Sequence, residues 1–184
     1  HEQVPVLKDV LHAMGIATME KAGLEADDLL GTVAKRSEAL GMEVTVLSGD
    51  RDLLQLATET IMIRMPKTKR GVTEIENYHA QDVKDAYQVT PSQIIELKAL
   101  MGDASDNIPG VPGIGEKTAT NLIVAYGTIE NAYAHVEEIK PNRAKEALKN
   151  HYDMAKMSKE LATICLEAPL TLSFEDARLT NLYT

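Results

Sequence analysis

The sequence predicts an α/β protein: a parallel-sheet core followed by a helical lobe that carries a helix-hairpin-helix. Three observations lead there. The run Glu43-Val44-Thr45-Val46-Leu47-Ser48 is rich in β-branched residues and ends on Gly49-Asp50-Arg51-Asp52. That is the pattern of a buried parallel strand whose carboxyl end delivers carboxylates to the functional edge of an open sheet. Helical periodicity then dominates the second half of the chain. Between the two, Met101 to Thr118 sets Asp103, Asp106, Pro109, Pro112 and the hairpin glycines Gly110, Gly113 and Gly115 between two amphipathic segments. The division expected is 1–90 for the α/β core and 91–184 for the helical lobe.

Taken in order, Leu7, Val10, Leu11 and Met14 form an apolar helical stripe closed by Gly15, a residue suited to the left-handed C′ position. Ile16 to Met19 reads as a short strand. The stretch Ala22 to Leu30 is continued by Leu29, Leu30, Val33, Ala34 and Leu40 as a helix ending at Gly41, with Glu25, Asp27 and Asp28 around its first turn. Glu25 and Asp28 share a face. Acidic residues there complement the helix dipole, so this group alone is explained by capping. Val44 to Leu47 is the inner strand, and a helix follows from Leu53. Asp52 as an N-cap and Asp50 as a turn residue are the plain alternative to a functional role.

Thr60 to Met65 reads as a second strand, Pro66 to Gly71 as a basic turn, and Val72 to Ile75 as the return strand. Ala80 to Tyr87 is a short helix, and Thr90-Pro91-Ser92 opens the helix bearing Ile94, Leu97 and Met101. After the hairpin, Ala119, Leu122, Ile123 and Tyr126 repeat at i, i+3, i+4, i+7. Ile129, Ala132, Tyr133, Val136 and Ile139 make one further stripe, and Ala144, Ala147 and Leu148 another. Met154, Met157, Leu161 and Ile164 make a third, with methionine as core filler. Leu170 to Phe174 alternates like an edge strand.

Composition narrows the function. The 184 residues are 44% hydrophobic, enough for a real core, and contain no run long enough to span a membrane. The single cysteine, Cys165, allows no internal disulfide and sits among Leu161, Ile164 and Leu166, a core setting. A reducing, cytoplasmic compartment is expected. The chain starts at His1 rather than Met, as a piece of a longer protein would. The net charge of −9, from 19 basic and 28 acidic residues, argues against a simple basic nucleic-acid binder. Seven of those carboxylates fall in three clusters: Glu25, Asp27 and Asp28; Asp50 and Asp52; Asp103 and Asp106. Without them 21 acidic residues face 19 basic ones. Concentrated acidity of that kind calls for a cation.

The hairpin points to phosphate. Gly110, Gly113 and Gly115 permit positive φ and close approach of a ligand. Their amides, with the N-terminus of the next helix, converge as an anion site, and Lys117 opposes the helix dipole unless it serves a bound anion. Such a hairpin grips a nucleic-acid backbone without reading its sequence; a glycine-rich helix corner is the plain alternative. Three carboxylate clusters on separate elements are hard oxygen donors suited to Mg²⁺ or Mn²⁺.

These motifs, Glu25-Ala26-Asp27-Asp28, Ser48-Gly49-Asp50-Arg51-Asp52, Gly102-Asp103-Ala104-Ser105-Asp106-Asn107 and Gly110-Val111-Pro112-Gly113-Ile114-Gly115-Glu116-Lys117-Thr118-Ala119, resemble the 5′-nuclease domain of bacterial DNA polymerase I, a relative of the flap endonucleases. The resemblance runs from about Pro5 to about Phe174 in motif order and spacing. It implies a Rossmann-like, PIN-type core and Mg²⁺- or Mn²⁺-dependent 5′-3′ hydrolysis by two ions at 5′ ends, flaps and RNA primers in replication and repair. It implies metal ligation by Glu25, Asp27, Asp28, Asp50, Asp52, Asp103 and Asp106, with Asp28, Asp50 and Asp52 central to catalysis. It implies DNA contact by Gly110, Gly113, Gly115, Lys117 and Thr118, with a K⁺ ion held by hairpin carbonyls in relatives. It also implies a monomer followed by a polymerase domain. The family's first core strand, with its own aspartate, and its helical arch have no counterpart in residues 1–24, so residues 1–184 alone are expected to bind Mn²⁺ but to cleave flaps far more slowly than the full domain. The other function class open to the residues is a non-catalytic duplex-DNA-binding helix-hairpin-helix module.

Overall fold

Three strands form one mixed sheet in the order β1-β2-β3: β1 (Val44–Leu47), β2 (Ile61–Lys69) and β3 (Val72–Tyr78). The computed structural model describes residues 3–69 and 71–179. β1 pairs parallel with β2, Val46 opposite Ile63, and β2 pairs antiparallel with β3, Met65 opposite Glu76. Ile61, Ile63 and Met65 alternate inward and are buried, the period-2 pattern of a strand with one face on the core. Among the described residues β1 lies at the sheet edge, with Val46 buried and Leu47 exposed, so it is parallel as expected but not an inner strand. Nor do Pro66 to Lys69 form a turn. They extend β2, Pro66 opposite Ile75. β1 ends opposite Arg64, so Pro66 sits where β2 is paired on one side only and its missing N–H removes no ladder bond.

Among the described residues there are eight helices: α1 (Gln3–Ala13), α2 (Ala26–Ala39), α3 (Ala80–Tyr87), α4 (Ile94–Met101), α5 (Glu116–Tyr126), α6 (Ile129–Ala134), α7 (Asn142–Asn150) and α8 (Tyr152–Ala162). Short 3-10 turns cover Arg51–Leu56, Pro91–Gln93 and Val136–Glu138. The chain divides into two units, residues 1–33 with 165–184, and residues 34–164.

The larger unit holds the main core: Leu53, Leu54 and Leu56 from the first 3-10 turn, the inward strand residues, Val83 of α3, and Leu100, Ile123, Ile129 and Leu148 of the helices. Each such side chain, fully buried, contributes about 1.5–3 kcal/mol. α4 is its axis. Ile94, Glu96, Leu97, Lys98, Ala99 and Leu100 are all buried, so the helix is enclosed on every side. α8 packs along it with small residues, Ala155, Ser158 and Ala162, turned inward. Met157 and Leu161 point outward instead. Of the expected stripe Ile164 is buried and Met154 half-buried, but Met157 and Leu161 are not core, because close helix approach selects the small face. The polar members of α4 are satisfied: Glu96 accepts from the Ile129 N–H at 3.0 Å and pairs with Lys159 at 2.6 Å. The stripe expected over 129–139 breaks at His135 into α6 and a 3-10 turn.

The smaller unit contains α1, closed by Gly15 at φ +70, but no residue of α1 is buried. Ile16 to Met19 and Leu170 to Phe174 form no strand, and Cys165 is exposed rather than core. The Cys165 and Ala168 backbone is held by Thr32, whose buried hydroxyl donates to the Cys165 carbonyl (3.2 Å) and accepts from the Ala168 N–H (3.0 Å). The remainder of the expected tail, 180–184, and His1 lie outside the described residues. Among the described residues no helix is long and apolar enough to cross a membrane.

Candidate metal centre and nucleic-acid interface

Asp50 is the N-cap of the 3-10 turn that follows β1. Its φ of −81° and ψ of 122° are extended, and its Oδ1 accepts from the Asp52 N–H at 2.9 Å. The capping role expected of Asp52 thus belongs to Asp50. Asp52 is freed to turn inward, where it is 9% exposed. Asp103 follows α4. Gly102, at φ +73, stops the helix, and Asp103 then pairs with Ile108 through two backbone bonds, 2.9 and 2.8 Å, that close a tight loop. Within that loop Asn107 takes a left-handed φ of 58°, which asparagine tolerates better than most residues.

The result is that Asp52, Asp103 and Asp106 each offer a carboxylate oxygen within 4.8 Å of the others. The donors are all hard oxygens, with no histidine or thiol, which suits Mg²⁺ or Mn²⁺. Lys98 sits among them. Its Nζ contacts the Asp52 carboxylate and lies 2.7 Å from Asp103 and 3.5 Å from Asp106. The Asp103 Oδ1 is occupied by the Ser105 N–H (2.8 Å) and hydroxyl. Lys98, then Ser105, hold the Asp103 carboxyl down to about 2. At Asp52 burial outweighs the same lysine and raises the carboxyl. At Lys98 burial opposes the charge, but Asp103 and Asp52 together raise it. The two aspartates shift in opposite directions because Asp52 is the more buried and Asp103 alone also accepts the Ser105 hydrogen bonds. Lys98 is not among the residues that the sequence motifs single out. Its signal was a lysine inside the apolar run Ile94-Ile95-Glu96-Leu97-Lys98-Ala99-Leu100, where an ammonium must find partners.

Glu25, Asp27 and Asp28 belong to the smaller unit. Asp28 accepts the Glu25 N–H at 3.3 Å and the Cys165 N–H at 2.8 Å, and Asp27 accepts the Asp28 N–H at 2.9 Å. Glu25 thus stands at the N-cap of α2 and Asp28 three residues into it, one half of a capping box.

The hairpin joins α4 to α5. Gly110 and Gly113 have φ of +63° and +90° as expected, but Gly115 is extended at φ −97° and caps α5. Three of the hairpin amides are committed internally: Gly110 donates to Ser158 Oγ at 3.0 Å, Val111 to the Leu100 carbonyl at 2.7 Å and Ile114 to the Val111 carbonyl at 3.0 Å. The amides at the start of α5, at Glu116 and Lys117, have no partner within the helix itself, and both residues are exposed. The Arg143 guanidinium faces Gly113, 3.7 Å from where a Cβ would stand.

A family model described as 5′-3′ exonuclease, N-terminal resolvase-like domain, matches residues 1–88, and one described as 5′-3′ exonuclease, C-terminal SAM fold, matches residues 89–184. The chain belongs to the 5′-3′ exonuclease family. It is 51% identical over 175 residues to the DNA polymerase I of Bacillus caldotenax, covering 95% of this chain and 20% of that protein. It is 46% identical to the DNA polymerase I of Bacillus subtilis, covering 94% and 19%. The chain therefore spans about a fifth of the length of these curated relatives. Among solved structures it resembles the bacteriophage T5 5′-exonuclease with bound zinc, at a TM-score of 0.75 and 28% identity over 88% of this chain and 58% of that one. A T5 flap endonuclease in a complex with DNA and metal ions gives a TM-score of 0.73 at the same identity and coverage. The α/β core with a helical lobe is the architecture of the 5′-3′ exonuclease family, and the resolvase-like and SAM-fold descriptions of its two halves agree with it.

Proposed function

We propose that this chain carries the metal-dependent 5′ nuclease activity of a DNA polymerase I, hydrolysing phosphodiester bonds at DNA 5′ ends, flaps and RNA primers. The observation that carries this reading is the convergence of Asp52, Asp103 and Asp106, drawn from two elements far apart in sequence, within 4.8 Å in a member of the 5′-3′ exonuclease family. The T5 relatives bind divalent metal and DNA. Asp52, Asp103 and Asp106 would hold a divalent ion, Mg²⁺ or Mn²⁺. Asp50, Glu25, Asp27 and Asp28 are further ligands on the family resemblance, with Asp28, Asp50 and Asp52 central to catalysis. Two such ions supply an activated water and a stabilised leaving oxygen for phosphodiester cleavage.

Around that chemistry the chain's own groups do the positioning. The Asp50 cap fixes the turn that aims Asp52, and Ser105 orients Asp103. The first turn of α5, with Gly113, Gly115, Lys117 and Thr118, grips the DNA backbone. Gly110, buried against the Gly102 backbone, supports that grip from within, and hairpin carbonyls are the seat for a K⁺ ion. The working form is a cytoplasmic monomer joined to a polymerase domain.

The test is a 5′-labelled flap duplex incubated with the protein. Cleavage with Mg²⁺ or Mn²⁺, none with EDTA, and loss by at least about a hundredfold in Asp50→Asn and Asp52→Asn are expected. Duplex binding with no metal-dependent cleavage would instead assign the chain to the non-catalytic binding class.

A further inference from the structure

We propose that Lys98 is an internal cation that holds the Asp52, Asp103 and Asp106 carboxylates together in the metal-free protein and must leave them when a divalent ion enters, so that it sets the metal affinity of the centre. This rests on the metal reading above.

The geometry is one of competition for the same atoms. The Lys98 ammonium reaches one oxygen from each of the three carboxylates, and its side chain is 7% exposed. Asp103 has no second oxygen to offer, because its Oδ1 is bound by the Ser105 N–H and hydroxyl. A Mg²⁺ ion needs its oxygens at about 2.0–2.1 Å. An ion bound to the Asp103 Oδ2 would stand within a few ångströms of an ammonium that is itself 2.7 Å from that oxygen. Two cations cannot share that oxygen at such spacing without strong repulsion.

The same lysine offsets the charge of the three carboxylates. Three carboxylates at this range repel one another, and α4 is buried throughout, so a charge must answer them from within. Lys98 serves as that charge. Its four-carbon stem and compact ammonium suit a group that changes partners, and Asp106, whose side chain is 49% exposed, marks the side open to solvent.

The experiment is a Mn²⁺ titration of the chain followed by the electron spin resonance of free Mn²⁺, with Lys98→Met beside the wild type. Tighter binding in the variant, by at least about tenfold, is expected because a like charge at contact distance is removed. Unchanged or weaker affinity in the variant, with the wild type still binding, overturns this inference alone. A wild type that binds no Mn²⁺ overturns the metal reading and the inference together. The wild-type chain gives a second measure independent of how the variant folds: trace acetylation read by mass spectrometry. Lys98 labelling should rise several-fold when Mg²⁺ is added, and labelling that stays flat or falls contradicts the proposal.

Discussion

The backbones of Gly102 and Gly110 lie directly against each other: a Cβ on Gly110 would come within 2.3 Å of the Gly102 nitrogen, and one on Gly102 within 2.6 Å of the Ile108 carbonyl oxygen. Both residues have positive φ. This contact ties the loop that carries Asp103 and Asp106 to the first half of the hairpin. The aspartates and the hairpin therefore share one small piece of backbone.

Gly102→Ala and Gly110→Ala should each destabilise the protein by more than about 3 kcal/mol, since backbone strain and a backbone clash add. Gly115→Ala should be nearly neutral, because Gly115 is extended and has nothing within 4 Å of a Cβ. Chemical denaturation of the three variants checks this. Equal stability of all three would show that the Gly102 and Gly110 contact yields easily.

The strong elements were legible in the sequence for a physical reason. Ala80 to Tyr87, Ile94 to Met101 and the stripe from Ala119 to Tyr126 each combine periodicity with a clear stop, and each is a helix with those residues. The carboxylate cluster was half legible. Asp52, Asp103 and Asp106 were named from motif spacing, but Lys98 was not, since its position depends on the burial of α4 on all sides. Leu170 to Phe174 failed as a strand because alternation over so few residues does not supply a pairing partner. Cys165 failed as core because apolar neighbours in sequence do not fix which side of the chain is covered.

Glu38 links α2 to the approach to β2. It accepts from the Thr58 and Thr60 hydroxyls and pairs with Lys35 at 2.9 Å. The Thr58 hydroxyl above all, with Lys35 and Thr60 and against some burial, holds its carboxyl below the ordinary 4.5. A depressed carboxyl stabilises the fold fully above its unfolded value and loses that contribution as pH falls through the lower folded value. Glu38→Gln should therefore cost about 1 kcal/mol at pH 7, and the gap to wild type should close as pH drops below the ordinary 4.5. A gap that persists unchanged to pH 3, measured by thermal unfolding, would show that the carboxylate charge is not what stabilises this junction.

Lys117→Ala should weaken duplex-DNA binding about equally for unrelated sequences and reduce the salt slope by about one. Gly113→Val should be worse, because φ there is +90° and a β-branched residue resists it. Fluorescence anisotropy across a salt series reads both. Unchanged binding in the two variants would leave the hairpin as a structural corner only.

The central claim is that Asp52, Asp103 and Asp106 form a divalent-metal centre. Anomalous diffraction from crystals of the protein grown with Mn²⁺ tests it most directly. The account predicts a manganese peak within about 2.0–2.4 Å of oxygens from these three aspartates, with the Lys98 ammonium withdrawn from them. A Mn²⁺-loaded crystal with no peak among the three carboxylates, and Lys98 still in contact with all of them, would contradict it.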